Sequence, residues 1–282
     1  MKEYNIQSAL LYGSNFLKSK GIESYNLDSR LLLMEVCKMT RIELCTMPEK
    51  LLSYDDFLKY HTLLEQRGEN KPVQYILNRC EFMSLDFYVD ESVLIPRPDT
   101  EVLVELVIQH IRDKSYRSLL DIGTGSGCIP ISVGNYSGLK QIAAIDISPT
   151  ALQVAQKNAK QHNIEIDFIL GNLFKNITQK YDVIVSNPPY IQTSVIETLD
   201  SNVKDYEPIL ALDGGADGIK FYREITTKST AYLNTNAMLF FEIGYDQGEA
   251  VSKLLKEHGF GGVTIIKDLA GLDRVVYGRI ES

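Results

Sequence analysis

Two periodicities divide the chain. Over roughly the first 75 residues the apolar positions recur at helical spacing: Leu10, Leu11, Phe16 and Leu17 form one set, and Leu27 to Val36 makes an apolar-rich second helix. Thr40-Arg-Ile-Glu43 and Ser53-Tyr-Asp-Asp56 read as a capping box and its Asp variant, with Pro48 breaking the pattern between them. A small helical bundle with short connections is expected. From Pro72 to about Ile95 the pattern changes to short strand-like runs, Gln74 to Leu77 and Leu85 to Val89, which predict a linking hairpin. Seven further apolar runs follow: around Leu119, Ile142, Phe168 and Val183, then Ala237 to Ile243, Val263 to Lys267 and Val275 to Arg279. Helical stretches separate the earlier runs, as in a doubly wound α/β sheet. Only seven residues, Asp268 to Arg274, join the last two runs. That is too short for a parallel crossover, so the final strand is expected antiparallel to its neighbour. The domains predicted are residues 1–72, a helical docking module or a stabilising appendage; 73–95, the hairpin; and 96–282, the sheet domain.

Candidate chemistry concentrates at the ends of those runs. The run from Ser118 to Ile122 opens into Gly123-Thr124-Gly125-Ser126-Gly127, and an apolar stretch typical of a helix start begins at Cys128. Strand, glycine-rich turn and helix form a nucleotide-binding element, because glycines let the backbone approach a ligand closely. Asp146 ends the next run, placed to accept hydrogen bonds from both hydroxyls of a ribose. Ser148-Pro149 then starts a helix well, with Ser as N-cap and Pro at the first helical position. The glycines are spaced G-x-G-x-G, not the G-x-G-x-x-G of dinucleotide enzymes, and Asp121 precedes them. A carboxylate beside a pyrophosphate is repelled, whereas one near the sulfonium and amino groups of S-adenosylmethionine (SAM) is attracted. SAM is therefore favoured over NAD, and a glycine-rich turn without a ligand is the remaining alternative.

Asn187-Pro188-Pro189-Tyr190 follows directly on the apolar run Tyr181 to Ser186. Two prolines end a sheet ladder, since neither carries an N–H and both fix φ near −65°. The loop is rigid, rich in acceptors, poor in donors, and ends in a flat ring. Such a loop suits a planar NH2 group; a purely structural turn is the alternative. Arg97, set between Pro96 and Pro98, is expected to be presented rather than packed, and Asp99 or Thr100 to cap the helix Val102 to Ile111.

Composition narrows the setting. Residues 1–75 hold ten Lys/Arg and ten Asp/Glu, so the whole net charge of −8 belongs to the remainder. A nucleic-acid surface usually carries a basic footprint, and none is visible, which argues against nucleic acid as the direct substrate. The cysteines Cys37, Cys45, Cys80 and Cys128 form no C-x-x-C pair, as expected of reduced thiols in the cytoplasm. The histidines lack metal-ligand spacing, and no apolar run approaches the roughly 20 residues of a membrane span. Neither metal nor membrane is expected.

Taken together, Leu94-Ile95-Pro96-Arg97-Pro98-Asp99-Thr100-Glu101, Asp121 to Gly127, and Val185-Ser186-Asn187-Pro188-Pro189-Tyr190-Ile191 resemble the PrmC/HemK family. Tyr206-Glu207-Pro208, Gly215 to Gly218, Glu242-Ile243-Gly244 and Asp273-Arg274-Val275 are further matches. The resemblance runs from about residue 66 to the C-terminus and rests before that on helical character alone. Asn-Pro-Pro-Tyr is shared with DNA amine methyltransferases; its combination with Ile-Pro-Arg-Pro-Asp-Thr-Glu is more specific.

The resemblance implies a seven-stranded, Rossmann-like SAM-dependent methyltransferase domain. It implies transfer of a methyl group to the N5 amide nitrogen of the Gln in the Gly-Gly-Gln motif of class 1 peptide-chain release factors. It also implies that Asn187 Oδ1 and the Pro188 carbonyl accept the two amide N–H groups, with Pro189 and Tyr190 completing the substrate contact and Tyr190 packing on the amide. Gly123, Thr124, Gly125, Ser126, Gly127, Asp146, Asn172 and Asn187 would contact the cofactor. Asn172 stands where the family commonly has an acid near the adenine. Three alternatives remain: a glutamine methyltransferase of a ribosomal protein, a DNA adenine-N6 or cytosine-N4 methyltransferase, and a non-catalytic SAM- or nucleotide-sensing module.

Overall fold

A computed structural model describes residues 4–281, and the chain divides into two compact units, Met1–Asn78 with Asp200–Tyr206, and Arg79–Leu199 with Glu207–Ser282. The first unit is helical: α1 (Ile6–Ser19), α2 (Tyr25–Cys37), α3 (Arg41–Thr46), α4 (Tyr54–Gly68) and α5 (Val73–Leu77), with a short helical turn at Ser201–Lys204. Thr40 and Glu43 form a full capping box at α3, and the Ser53 hydroxyl accepts the Asp56 N–H at α4. Ile6, Leu17, Leu32, Leu33, Leu44 and Leu64 make the core of this unit. Inside it Arg67 meets Asp28 at 2.6 Å, and both are almost fully buried. A charge in that position is tolerable only because it is paired.

Gln74 to Leu77, expected as a strand, is the helix α5. A four-residue apolar run cannot distinguish a period of 2 from one of 3.6. Here Asn78 in the left-handed region (φ 50°) closes a helical turn. The hairpin begins later, in the second unit, as β1 (Cys80–Phe82) paired antiparallel with β2 (Leu85–Phe87). The following helix α6 (Pro98–Lys114) starts a turn before the expected Val102. Pro98 takes the first position, and Arg97 is the N-cap residue with no side-chain cap, so neither Asp99 nor Thr100 caps it.

Seven strands form the main sheet: β3 (Ser118–Ile122), β4 (Gln141–Asp146), β5 (Asp167–Leu170), β6 (Tyr181–Ser186), β7 (Leu233–Glu242), β8 (Phe260–Lys267) and β9 (Asp273–Ile280). Their order is β5-β4-β3-β6-β7-β9-β8. All neighbours run parallel except β9, which is antiparallel to both β7 and β8. The connection is shorter still than expected, residues 268–272, and has the consequence expected of it: β9 is antiparallel to β8 and inserts between β7 and β8. Helices α7 (Cys128–Ser137), α8 (Pro149–His162), α9 (Lys220–Ser229) and α10 (Gly248–Glu257) complete the unit.

Alternation along the central strands feeds two cores. Val183, Val185, Met238 and Phe240 pack with α6 and α7 on one face; Ile184, Leu239 and Phe241 pack with Tyr222, Ile225, Val251 and Leu255 on the other. Both faces are buried, as helices on both sides of a parallel sheet require. The chain leaves β3 for β4 on one side and later returns to β6 on the other. The crevice at that switch point is where an open α/β sheet binds ligands.

Candidate active site

A cavity of about 380 Å³ lies at this crevice, within the size range of small-molecule sites. Its walls include Gly123, Thr124, Gly125 and Ser126 of the glycine loop, Asp146, Asn172, Asn187, Pro188 and Pro189. Gly127, expected to touch the cofactor, is not among them: it is the N-cap residue of α7 and packs against Ala155. Elements far apart in sequence are thereby brought to one place.

The glycine loop leaves β3 with Gly123, Gly125 and Gly127 all in the left-handed region, at φ 75°, 54° and 79°. Side chains there would be strained, which explains the residue choice. Asp146, at the tip of β4, organises the loop: its Oδ2 accepts the Gly125 N–H and its Oδ1 the Ser148 N–H, each at 2.9 Å. Each oxygen keeps a lone-pair direction for a further donor. Burial raises the Asp146 pKa, and the backbone N–H groups oppose that rise. From behind, fully buried Asn158 on α8 donates to the Ser126 carbonyl and, in the same side chain, spans both backbone groups of Tyr88. Sequence reading missed Asn158, since a lone polar residue in a helix carries no mark of what it will touch.

Asp121 does not itself line the cavity. It sits in β3, fully buried, two residues before Gly123, and burial pushes its pKa up to about 7. No hydrogen bond of good geometry reaches either of its oxygens, although the Thr124 hydroxyl lies close enough to offset part of the rise. The Thr124 hydroxyl, which does line the cavity, is likewise buried without a partner. Buried polar atoms of this kind are normally satisfied. A ligand bringing a donor to this end of the cavity would satisfy Thr124, and a positive charge there would be attracted by Asp121 behind the loop. SAM has both, in its amino and sulfonium groups, and its ribose matches the free acceptor directions of Asp146. The residues present therefore fit it: Gly123 to Ser126 and Asp146 would hold it, with Asn172 at the exposed rim.

The opposite wall is the Asn187-Pro188-Pro189 loop after β6. Its exit is clamped: the Ile191 N–H donates to the Leu212 carbonyl (3.0 Å) and the Gly214 N–H to the Ile191 carbonyl (2.8 Å). Gly214 is required there, because a Cβ would stand 2.7 Å from Tyr190 Cα and 2.9 Å from the Pro189 carbonyl oxygen. Asn187 Nδ2 donates to Thr100 Oγ1 at 3.4 Å. Tyr190, expected to face the amide, is not among the cavity-lining residues. It packs against the α9–α10 core, where burial pushes its pKa up to about 12, with Glu242 contributing.

Arg97 lines the cavity mouth and is held rather than free: its guanidinium meets Glu207 at 2.5 Å. Burial raises the Glu207 pKa, and Arg97 acts against that rise. The pair fixes the Pro96–Pro98 segment against the turn carrying Pro208 and Leu210, which also line the mouth. Among the described residues no cluster of His, Cys, Asp and Glu could hold a metal ion, and no helix is long and apolar enough to cross a membrane.

Comparison with known proteins agrees with this architecture. Residues 100–205 match the Methyltransferase small domain family, and residues 8–77 match the PrmC N-terminal domain. A release factor glutamine methyltransferase of Clostridium botulinum is 41% identical over 97% of this chain and 99% of its own length. Its counterpart in Clostridium acetobutylicum is 41% identical over 96% and 97% respectively. A methyltransferase from Pyrococcus furiosus shares the fold, with a TM-score of 0.53 at 16% identity, covering 71% of this chain and 91% of that one. With similarity extending through both units, the chain belongs to the release factor glutamine methyltransferase family, whose methyl donor is SAM.

Proposed function

We propose that this protein methylates the side-chain amide nitrogen of the glutamine in the Gly-Gly-Gln motif of class 1 peptide-chain release factors, in the cytoplasm. The observation that carries the reading is that one cavity has two unlike walls: a glycine loop with Asp146 on one, and an acceptor-rich Asn-Pro-Pro loop on the other. The full-length similarity to release factor glutamine methyltransferases supports the substrate.

An amide nitrogen is a poor nucleophile because its lone pair is delocalised into the carbonyl. When bound, SAM supplies an electrophilic methyl group on a sulfonium. The chain's own task is to hold the amide and raise the electron density on its nitrogen. Asn187 Oδ1 and the Pro188 carbonyl are the acceptors for the two N–H groups, and fixing both N–H directions fixes the plane of the amide. Pro188 is buried and Pro189 half-buried, so the acceptors sit on a frame that loses no entropy when substrate arrives. No strong base is called for, since an alkylated amide nitrogen is a far stronger acid than the amide itself. No histidine is among the cavity-lining residues. The helical unit of residues 1–72 is the module we assign to docking the protein substrate.

The test is to incubate the protein with methyl-labelled SAM and, separately, a class 1 release factor, ribosomal proteins and DNA. Label is expected in the release factor alone, on the Gly-Gly-Gln glutamine. Label in a ribosomal protein or in DNA, with none in the release factor, overturns the reading.

A further inference from the structure

We propose that Glu242 is a positioning residue for Asn187, keeping the oxygen of the Asn187 side chain turned to the cavity by engaging its NH2 end from behind. The inference rests on the reading of Asn187 as the acceptor for a substrate amide. An asparagine side chain is nearly symmetric in shape, and its two ends differ only in what they donate or accept. If Asn187 turned over, it would set an NH2 group against the NH2 of the substrate, donor to donor. Something must decide which end faces out.

The sheet register brings the deciding groups together. Ser186 on β6 pairs with Phe241 on β7, so the next residues, Asn187 and Glu242, emerge side by side at the carboxyl ends of neighbouring parallel strands. Thr100, from the first turn of α6, joins them and is buried, as is Glu242. Asn187 Nδ2 donates to Thr100 Oγ1, and the Asn187 amide and the Thr100 hydroxyl both approach the Glu242 carboxylate with their hydrogens. Thr100 Oγ1, having accepted from Asn187, retains its own hydrogen for Glu242. Both acceptors therefore meet the NH2 end, Thr100 at the cavity wall and Glu242 behind it, which leaves Oδ1 for the open cavity.

Glu242 is an expensive residue to bury, and nothing in the fold uses it up. Its Oε2 has no hydrogen-bond partner, and burial pushes its pKa up to about 7. Arg274 offers counter-charge, but its own bonds go to Asp268 and to the Ile243 carbonyl and it also pairs with Asp99, which adds negative charge from α6. A carboxylate retained at such a cost, beside a residue whose orientation matters, is best explained by that orientation.

Glu242→Gln tests this, because it keeps the shape while adding an NH2 that can bond to Asn187 Oδ1 and favour the wrong orientation. Expected is a fall in kcat of about tenfold or more, a scale set by losing one preorganised contact in part, with the SAM Kd and Tm little changed. Glu242→Asp should recover part of the loss. In an Asn187→Ala background Glu242→Gln should add less than about twofold, since residues acting through one another are not additive. Thr100→Val, which removes the second acceptor, should lower kcat and be equally silent in that background, and it serves if the Glu242 variants fold poorly. Parental kcat in both Glu242→Gln and Thr100→Val, or a full multiplicative loss on top of Asn187→Ala, overturns the proposal. If Asn187→Ala itself turns over like the parent, the underlying reading of Asn187 fails, and Glu242 loses its role with it.

Discussion

The two walls of the cavity are made of different materials. On the β3–β4 side the contacts on offer are largely backbone: three glycines in the left-handed region, and one carboxylate, Asp146, that accepts the Gly125 and Ser148 N–H groups. On the β6–β7 side, side chains fix other side chains: Asn187 on Thr100, with Glu242 beside both. The first construction holds a ligand whose shape never changes, and needs only a loop of the right conformation. The second must discriminate between donor and acceptor at one nitrogen, which backbone alone does not do on both sides of a flat group. Binding and turnover should therefore separate when the walls are mutated one at a time.

The largest effect is expected at Asn187. Asn187→Ala removes one of the two amide acceptors, and kcat should fall on the order of 100-fold or more. SAM binding, measured by calorimetry, should change far less. Asn187→Asp keeps one acceptor oxygen but adds a charge at a partly buried position beside Glu242, so its kcat should lie between those of Ala and the parent.

On the other wall, Asp146→Ala should weaken SAM binding by about 2 kcal/mol, roughly 30-fold in Kd, the scale of hydrogen bonds to a charged group. Part of that loss would come from the loop itself, because the Gly125 and Ser148 N–H groups lose their acceptor. At saturating SAM much of the turnover should return.

Much of this was legible in the sequence, for identifiable reasons. The seven strands show because both faces of the sheet are buried, so Val183 to Val185 and Leu239 to Phe241 read as unbroken apolar runs. The glycine loop shows because only glycine suits its conformation, and the Asn187 loop because two prolines cannot lie inside a sheet. Thr100 was read only as a possible helix cap and Glu242 only as part of a family match, because their meeting joins α6, β6 and β7 across more than 140 residues of chain. Where Tyr190 packs was not legible for the converse reason: adjacency in sequence to Asn187 does not fix where a ring lies, and Tyr190 packs on the α9–α10 core. The four-residue run at Gln74 was misread because it is shorter than either period needs.

The helical unit extends the comparison beyond the two walls. If residues 1–72 dock the protein substrate, their removal should raise KM for release factor by about tenfold or more, the loss of at least 1.4 kcal/mol of binding. SAM affinity should be untouched, and equal KM with and without the unit would mark it as a stabilising appendage.

A different kind of effect is a pH dependence of stability behind the cofactor wall. Asp121 has a folded pKa of about 7 against an ordinary value of 3.8, so the folded state holds its proton more tightly than the unfolded chain does. Its stability contribution is then highest below about pH 4 and is lost as pH rises to about 7. Asp121→Asn removes that loss. In the absence of SAM its Tm should exceed the parent's at pH 8, and the gain should shrink as pH falls toward 4. A constant difference across that range would show that Asp121 does not titrate in this window.

The most direct test is to measure two quantities in two variants, the SAM Kd and the single-turnover rate at saturating SAM, for Asn187→Ala and Asp146→Ala side by side. A crossed pattern is expected: Asn187→Ala loses rate and keeps affinity, while Asp146→Ala loses affinity and keeps most of its rate. Parallel losses in both quantities for both variants would contradict a cavity with one wall for the cofactor and another for the amide.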